Sequence, residues 1–432
     1  MGPDLLLVGL FALLLLLGVP VAFCIGLATL GALLLSMDAL PAVTTIAQRM
    51  VGGLNSFALL AIPLFILSGI IMARSSIARR LIRFARCLIG MVPGGLAFVN
   101  VLSSALFGSI AGSAVAANTA VGSVMIPEME KSGYGRDFAA AITATSSTVG
   151  LLIPPSNILI VYAIAAGGVS ISALFVGGYL PGLLVAAMLM VVCAWHAKRH
   201  QLPPAGRVAL RDTITAGLAA LPGLALIVIV MGGILGGVFT ATEAGAIAVL
   251  YSLGLSAFVY RDLVARDLYP ILQRSAETTA IVMFLIATSV AMSWVLAYRN
   301  IPVDVADFLL TLSDNPIVLL LIINLVLLIV GAFMDMTPAV LIFTPIFLPV
   351  AIQLGMSPLH FGIIMVLNLS IGLCTPPVGN ILFLSCAVAN TTLTRIIRPL
   401  IPMYVAMIVA LLLVTYVPAI SELLPRQLGL ID

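Results

Sequence analysis

Long apolar runs decide most of what this chain can fold into. Leu5–Leu17 has no polar side chain, and further runs lie near 4–35, 54–73, 92–126, 137–167, 173–197, 214–236, 241–260, 275–297, 316–353, 358–389 and 400–418. A hydrocarbon core roughly 30 Å thick takes about 20 apolar residues as a helix. Only helices and closed barrels satisfy their backbone there, and barrel strands would alternate polar with apolar residues. These runs do not alternate. Composition agrees: 62% of the 432 residues are hydrophobic and 8% charged, against about 25% charged in a soluble domain. A water-facing surface cannot be built from so few charges, which excludes a soluble enzyme. A net charge of +3 gives no basic face for nucleic acid. The expected fold is an all-α polytopic membrane protein, one integral membrane domain over 1–432.

Small counts narrow the chemistry. Cys24, Cys87, Cys193, Cys374 and Cys386 show no metal spacing, and His196, His200 and His360 form no HExxH. Metalloprotease chemistry is thereby excluded. No GxxxxGK[ST] loop is present, so the chain carries no P-loop ATPase of its own. Met-Gly-Pro-Asp lacks the basic start of a cleaved leader, and the first helix is expected to be retained.

Two segments are too long for one crossing and break midway: 92–126 at Gly108-Ser-Ile-Ala-Gly-Ser113 and 316–353 at Gly331-Ala-Phe-Met-Asp-Met-Thr337. As re-entrant hairpins they leave nine single crossings. With the N-terminus cytoplasmic, the inner loops 74–91, 127–137, 198–213, 261–274 and 390–399 then hold 16 of the 19 Lys+Arg, Arg207 among them. Only Arg49, Arg299 and Arg426 stay outside. The positive-inside rule expects this bias. Arg79, Arg80, Arg83 and Arg86 oppose Leu81, Ile82, Phe84 and Leu88 at helical spacing, which predicts a helix in the inner interface; a charged, frayed loop is the alternative.

An internal repeat is the strongest signal. Pro127, Gly133, Gly150, Pro154 and Pro155 recur 222 residues on as Pro349, Gly355, Gly372, Pro376 and Pro377, and Gly108/Ser109 matches Gly331 with a one-residue slip. Five crossings separate the hairpins, so the repeats are inverted. The first, 92–167, and the second, 316–389, each pair a hairpin with a broken helix, while 1–73, 173–297 and 400–418 are mainly scaffold. Discontinuous helices in inverted repeats place a transport site near the midplane.

Each Pro-Pro removes backbone donors and is expected to leave carbonyls near Gly150–Pro155 and Gly372–Thr375 open to a hard cation such as sodium. Half-helices starting near Ser113, Ser156 and Asn380 aim positive ends at the same centre, where a carboxylate is favoured. Proline-kinked helices with satisfied carbonyls are the competing reading. Asp335, the only acid inside either hairpin, is a functional candidate at membrane depth, unless it only faces an outer vestibule. Glu243 in Thr240-Ala-Thr-Glu has capping-box spacing and reads as structural. Met334 and Met336 read as packing.

Five ordered motifs carry a resemblance: 107–116 (FGSIAGSAVA), 153–156 (IPPS), 237–244 (GVFTATEA), 333–338 (FMDMTP) and 375–379 (TPPVG). They resemble the large membrane subunit of tripartite ATP-independent periplasmic (TRAP) transporters, nearly end to end; Ala241 stands where the family favours proline. The resemblance implies sodium-coupled, elevator-type uptake of small organic acids across the bacterial inner membrane, without a cofactor. It also implies a small membrane subunit and a periplasmic binding protein as partners. One implied sodium site is Gly108, Ser109, Gly150, Ile153 and Pro155; the other is Gly331, Gly372, Thr375 and Val378. Implied substrate positions are Ser113, Ser156 and Asp335, with Asn157 and Asn380 at the half-helix starts. A stand-alone sodium/carboxylate symporter of related architecture is the alternative. A channel would need a continuous polar pore, and an intramembrane protease a GxSxG or HExxH; none is visible.

Overall fold

The computed structural model describes residues 3–204, 209–313, 315–376 and 378–431; Arg207 and Pro377 lie outside them. Among the described residues the regular elements are all helices. In chain order they form α1 (Pro3–Leu16), α2 (Val21–Leu34), α3 (Ala39–Leu54), α4 (Ala61–Arg74), α5 (Ile77–Ile89), α6 (Gly95–Ala111), α7 (Ala114–Lys131), α8 (Arg136–Val149), α9 (Asn157–Ala165) and α10 (Ile171–His200). The chain continues with α11 (Leu210–Leu235), α12 (Ala241–Gly254), α13 (Ala265–Tyr298), α14 (Ile301–Leu312), α15 (Pro316–Phe333), α16 (Met336–Gln353), α17 (Pro358–Gly372), α18 (Asn380–Ala389), α19 (Leu393–Tyr416) and α20 (Ala419–Gln427).

Both broken segments are helical hairpins, α6–α7 and α15–α16, and both Pro-Pro segments are broken helices, α8–α9 and α17–α18. The 222-residue displacement holds element by element: α7 and α16 match at both ends, and α5/α14, α6/α15, α8/α17, α9/α18 and α10/α19 follow within a few residues. Packing repeats too. Each hairpin's first arm lies on its own broken helix, α6 on α8 and α15 on α17, while the second arms cross over, α7 to α18 and α16 to α9. Buried amides tie these pairs. Asn100 Nδ2 donates to Thr143 Oγ1 at 2.6 Å, Asn368 Nδ2 to Asn324 Oδ1 at 2.8 Å, and Asn118 Nδ2 to Ser385 Oγ at 2.6 Å. A buried amide without a partner would cost about 1–3 kcal/mol, so the first two bonds fix each hairpin on its own broken helix and the third docks the two repeats.

The structure corrects four sequence expectations. Segment 4–35 is two helices packed on each other, not one crossing: Gly18 takes φ +76 and Pro20 precedes α2, which turns the chain between runs that are equally apolar. Helices α3, α14 and α20 had not been expected. The helix expected over 76–90 forms as α5, but much of its apolar face lies on α6 and α11, burying Ile77, Leu81 and Ile82, with Leu88 left exposed. Finally, α10 and α19 were assigned mainly to the scaffold. Their principal contacts are with each other and with α8, α17 and α20, so they belong to the hairpin body. The remaining scaffold is α1–α4 with α11–α13, and the arms α5 and α14 bridge it to the hairpins.

Candidate functional site

The hairpin tips and the helix breaks meet around one cavity of about 750 Å³. Its lining includes Gly112 and Ser113 from the first tip, Asp335 to Thr337 from the second, and Leu151, Asn157, Leu373 and Asn380 from the two breaks. Helices α4 and α13 close the opposite wall. Each arm of the second hairpin is apolar and long enough to cross a membrane by itself. Its tip nevertheless stops at the same cavity as the first tip, which is the geometry of two hairpins meeting head on.

Close backbone approach makes each tip possible. A methyl on Gly150 would lie 2.4 Å from Gly108 Cα, and one on Gly372 would lie 2.6 Å from Gly331 Cα. The one-residue slip read in the sequence is therefore real: Gly108 meets Gly150 as Gly331 meets Gly372. At the first tip Gly112 takes φ +59 and sits against the Asn157 amide. Ser113 Oγ accepts from Ala116 N at 3.3 Å, capping α7.

The breaks hold freed carbonyls, as expected, and also consume some. In the first, Thr148 O, Val149 O and Leu151 O accept bonds from Leu151 N, Leu152 N and Ser156 Oγ. Among the described residues the carbonyls of Gly150, Ile153 and Pro155 accept none, nor does that of Ser109. In the second, Gly372 O accepts from Thr375 N at 2.8 Å, Leu373 O from Ile381 N at 3.3 Å and Cys374 O from the Tyr404 hydroxyl. Among the described residues the carbonyls of Gly331, Thr375 and Val378 accept none. Oxygen donors with no protein partner thus occur at most of the positions singled out for a cation, except that the Gly108 carbonyl accepts from Gly112 N and the Gly372 carbonyl from Thr375 N, each at 2.8 Å. The donor set is all oxygen and, apart from Asp335, neutral, which fits a hard monovalent ion.

The substrate candidates divide. Ser113, Asn157, Asp335 and Asn380 line the cavity, with Asp335 and Asn380 exposed to it. Ser156 is buried, donates to Leu151 O, and is absent from the lining. The Ser109 hydroxyl likewise donates to Leu106 O at 2.9 Å; both serines satisfy their own backbone. Asp335 is the N-cap of α16 but makes no side-chain cap bond. Glu243 makes the full capping box, accepting from Thr240 N at 2.8 Å while Thr240 Oγ1 accepts from Glu243 N at 3.3 Å. Its structural reading stands.

A family model described as "Tripartite ATP-independent periplasmic transporter, DctM component" matches residues 8–420. The chain belongs to this family. Within it, the chain is 50% identical to the uncharacterized protein YgiK of Salmonella typhimurium, over 98% of this chain and 97% of that one. It is 43% identical to the C4-dicarboxylate TRAP transporter large permease protein DctM of Pseudomonas aeruginosa, over 93% of each. Among solved structures the Alcanivorax borkumensis YdaH transporter superposes with a TM-score of 0.64, covering 96% of this chain and 98% of that one. At 16% identity that likeness shows the fold alone. The chain is therefore a multi-pass component of a tripartite membrane transporter, and the cavity is its candidate transport site.

Sequence reasoning missed part of that site. Arg74, Thr119, Ser123, Arg274 and Thr278 line it as well. The arginines had been read only as marks of sidedness. An i, i+3, i+7, i+11 stripe on α13 (Ile271, Arg274, Thr278, Val282) was available as a signal, but nothing local says that it faces a hairpin.

Proposed function

We propose that this chain is the large membrane subunit of a sodium-driven uptake system for small organic acids, working by an elevator movement in the bacterial inner membrane. What carries the reading is the single cavity that both tips and both breaks line, flanked on each side by oxygens without protein partners. Sodium at Gly108, Ser109, Gly150, Ile153 and Pro155, and again at Gly331, Gly372, Thr375 and Val378, would neutralise those oxygens. The N-termini of α7, α9 and α18 then face a carboxylate held between the two ions. Ser113, Asn157, Asp335 and Asn380 would set its orientation.

The division into bodies supports an elevator. The hairpins, broken helices, α10 and α19 form one unit and α1–α4 with α11–α13 another, joined by α5 and α14. Movement of the first past the second carries the site across the membrane without dismantling it. A substrate of the C4-dicarboxylate or sugar-acid class suits the cavity, delivered by a periplasmic binding protein and assisted by a small membrane subunit.

Topology follows from the repeat. With the cation-rich loops inward, α11 and α12 run out and back. Their inverted counterparts α1 and α2 then run in and out, and α3 with α4 returns the chain to the inner loop 74–91. This puts the segment before α1 on the outer side, opposite to the side given by a single crossing over 4–35. The cavity reaches Arg74 and Arg274, beside inner loops, and takes no lining from 166–172 or 236–240. It is open inward.

Uptake into proteoliposomes holding the chain with its two partners tests the proposal, with labelled succinate as the first probe. Uptake should need an inward sodium gradient and no ATP. Equal uptake under sodium, potassium and proton gradients would overturn the sodium coupling.

A further inference from the structure

We infer that Arg74 and Arg274 form an anion-recognition pair at the inner end of the transport cavity, taking the carboxylate of the substrate as it leaves the hairpin tips. The pair's role in release rests on the elevator reading above; its anion binding does not.

The positive-inside rule explains why both cations lie on the inner side. It does not explain why residues 200 positions apart converge on one cavity. Arg74 ends the α4 face that lines the cavity from Ile62 onward, and Arg274 lies one turn into the lining face of α13, after Pro270 and Ile271. On α4 it is Gly69 that packs on the Ala111 carbonyl at the first tip, and Arg74 follows five residues on, roughly 8 Å along the helix. Both side chains are exposed. Neighbouring arginines are engaged: Arg86 pairs with Glu128, and Arg80 lies over the Tyr260 ring and donates to Ser76 Oγ at 3.0 Å. Among the described residues neither the Arg74 nor the Arg274 guanidinium has an ion pair or a hydrogen bond. The nearest acid along α13, Glu277, accepts from Gln273 and does not line the cavity. Among the described residues the only lining acid is Asp335, at the second hairpin tip.

Two unpaired guanidiniums in a concave, low-dielectric site concentrate anions, and each can bind a carboxylate through two parallel N–H bonds. Both belong to the scaffold, whereas the tips belong to the hairpin body. The anion therefore meets the pair only when the cavity faces inward, a contact that differs between the two states. Fixed charges leave the overall driving force unchanged. They lower the barrier for leaving the tips.

The full chain in nonionic detergent, free of native cysteines and carrying Thr278→Cys, provides the test. All five native cysteines are buried, and Thr278 lines the cavity. Modification rates with an anionic sulfonate-bearing and a cationic trimethylammonium-bearing methanethiosulfonate give an anion/cation ratio. Replacing both arginines, R74Q with R274Q, should lower that ratio about tenfold, and R74K with R274K should restore most of it. Should the double variant not fold, each single variant should lower it about threefold. Succinate, but not neutral succinamide, should slow the anionic reagent saturably, and the Gln variants should lose this protection. An unchanged ratio would overturn the inference. So would slowing by added phosphatidylglycerol but not by succinate, which would make the pair a lipid site. Failure of sodium coupling in the uptake assay would leave these results standing, so the two ideas fail separately.

Discussion

Replacing Gly150 by alanine should damage the first candidate sodium site without touching any side chain in it. The added methyl would lie 2.4 Å from Gly108 Cα, 2.6 Å from Gly108 C and 2.9 Å from Ser109 N. Carbon atoms prefer about 3.5–4.0 Å, so α6 and the break must separate by at least roughly 1 Å. All three atoms are backbone and cannot rotate away. Overpacking of this kind costs about 1–3 kcal/mol. The same displacement pulls the Ser109 carbonyl from those of Gly150 and Ile153, so the site should weaken about tenfold or more. Sodium at 100 times its dissociation constant stabilises a folded protein by about 2.7 kcal/mol, and a tenfold weaker site keeps about half of that. Thermal unfolding in detergent across a sodium series, with potassium holding ionic strength, reads both effects. Gly150→Ala should start lower and rise less steeply with sodium than wild type, and Gly372→Ala, whose methyl meets Gly331 C at 2.5 Å, should do the same. Gly52→Ala, whose methyl meets nothing within 4 Å, should follow wild type. If Gly150→Ala lost stability yet kept the full wild-type response to sodium, the close approach would be packing alone and the site would lie elsewhere.

Asp335→Asn should raise the sodium concentration needed for half-maximal uptake roughly tenfold, because a carboxylate free of cap bonds faces the cavity. Glu243→Gln weakens only a capping box and should leave uptake per folded molecule within about twofold of wild type. A normal sodium titration for Asp335→Asn would return that acid to a solvent-facing role. For topology, single cysteines at Leu17 and Lys131 should react with an impermeant maleimide from inside, and those at Ser36 and Pro358 from outside. Labelling of 131 and 358 from one side would end the inverted-repeat assignment, and protection of 17 from both sides would restore a single crossing over 4–35.

Much of the site was legible because its chemistry is backbone chemistry. Gly108, Gly150, Gly331 and Gly372 stand where two backbone segments touch, and a Pro-Pro near them must release carbonyls, so small residues and prolines mark the place in any apolar segment. Ser113, Asn157 and Asn380 could be placed because a helix has to start after each break. Ser109 and Ser156 could not be judged the same way. A hydroxyl in an apolar run either faces a ligand or bonds the preceding turn, and only its rotamer decides.

Apolar run length, charge poverty and the 222-residue repeat determined by themselves that this chain is a membrane transporter component with two hairpins and two broken helices. Each of those properties is local or periodic along the chain. Tertiary structure alone decided that α1 and α2 are separate, since apolar residues on both sides of Gly18 hide the turn. It placed α10 and α19 with the hairpins, since a helix that is apolar all round carries no stripe to name its partner. It also brought Arg74 and Arg274 to one cavity, because convergence of distant residues depends on how helices cross, which hydropathy does not encode.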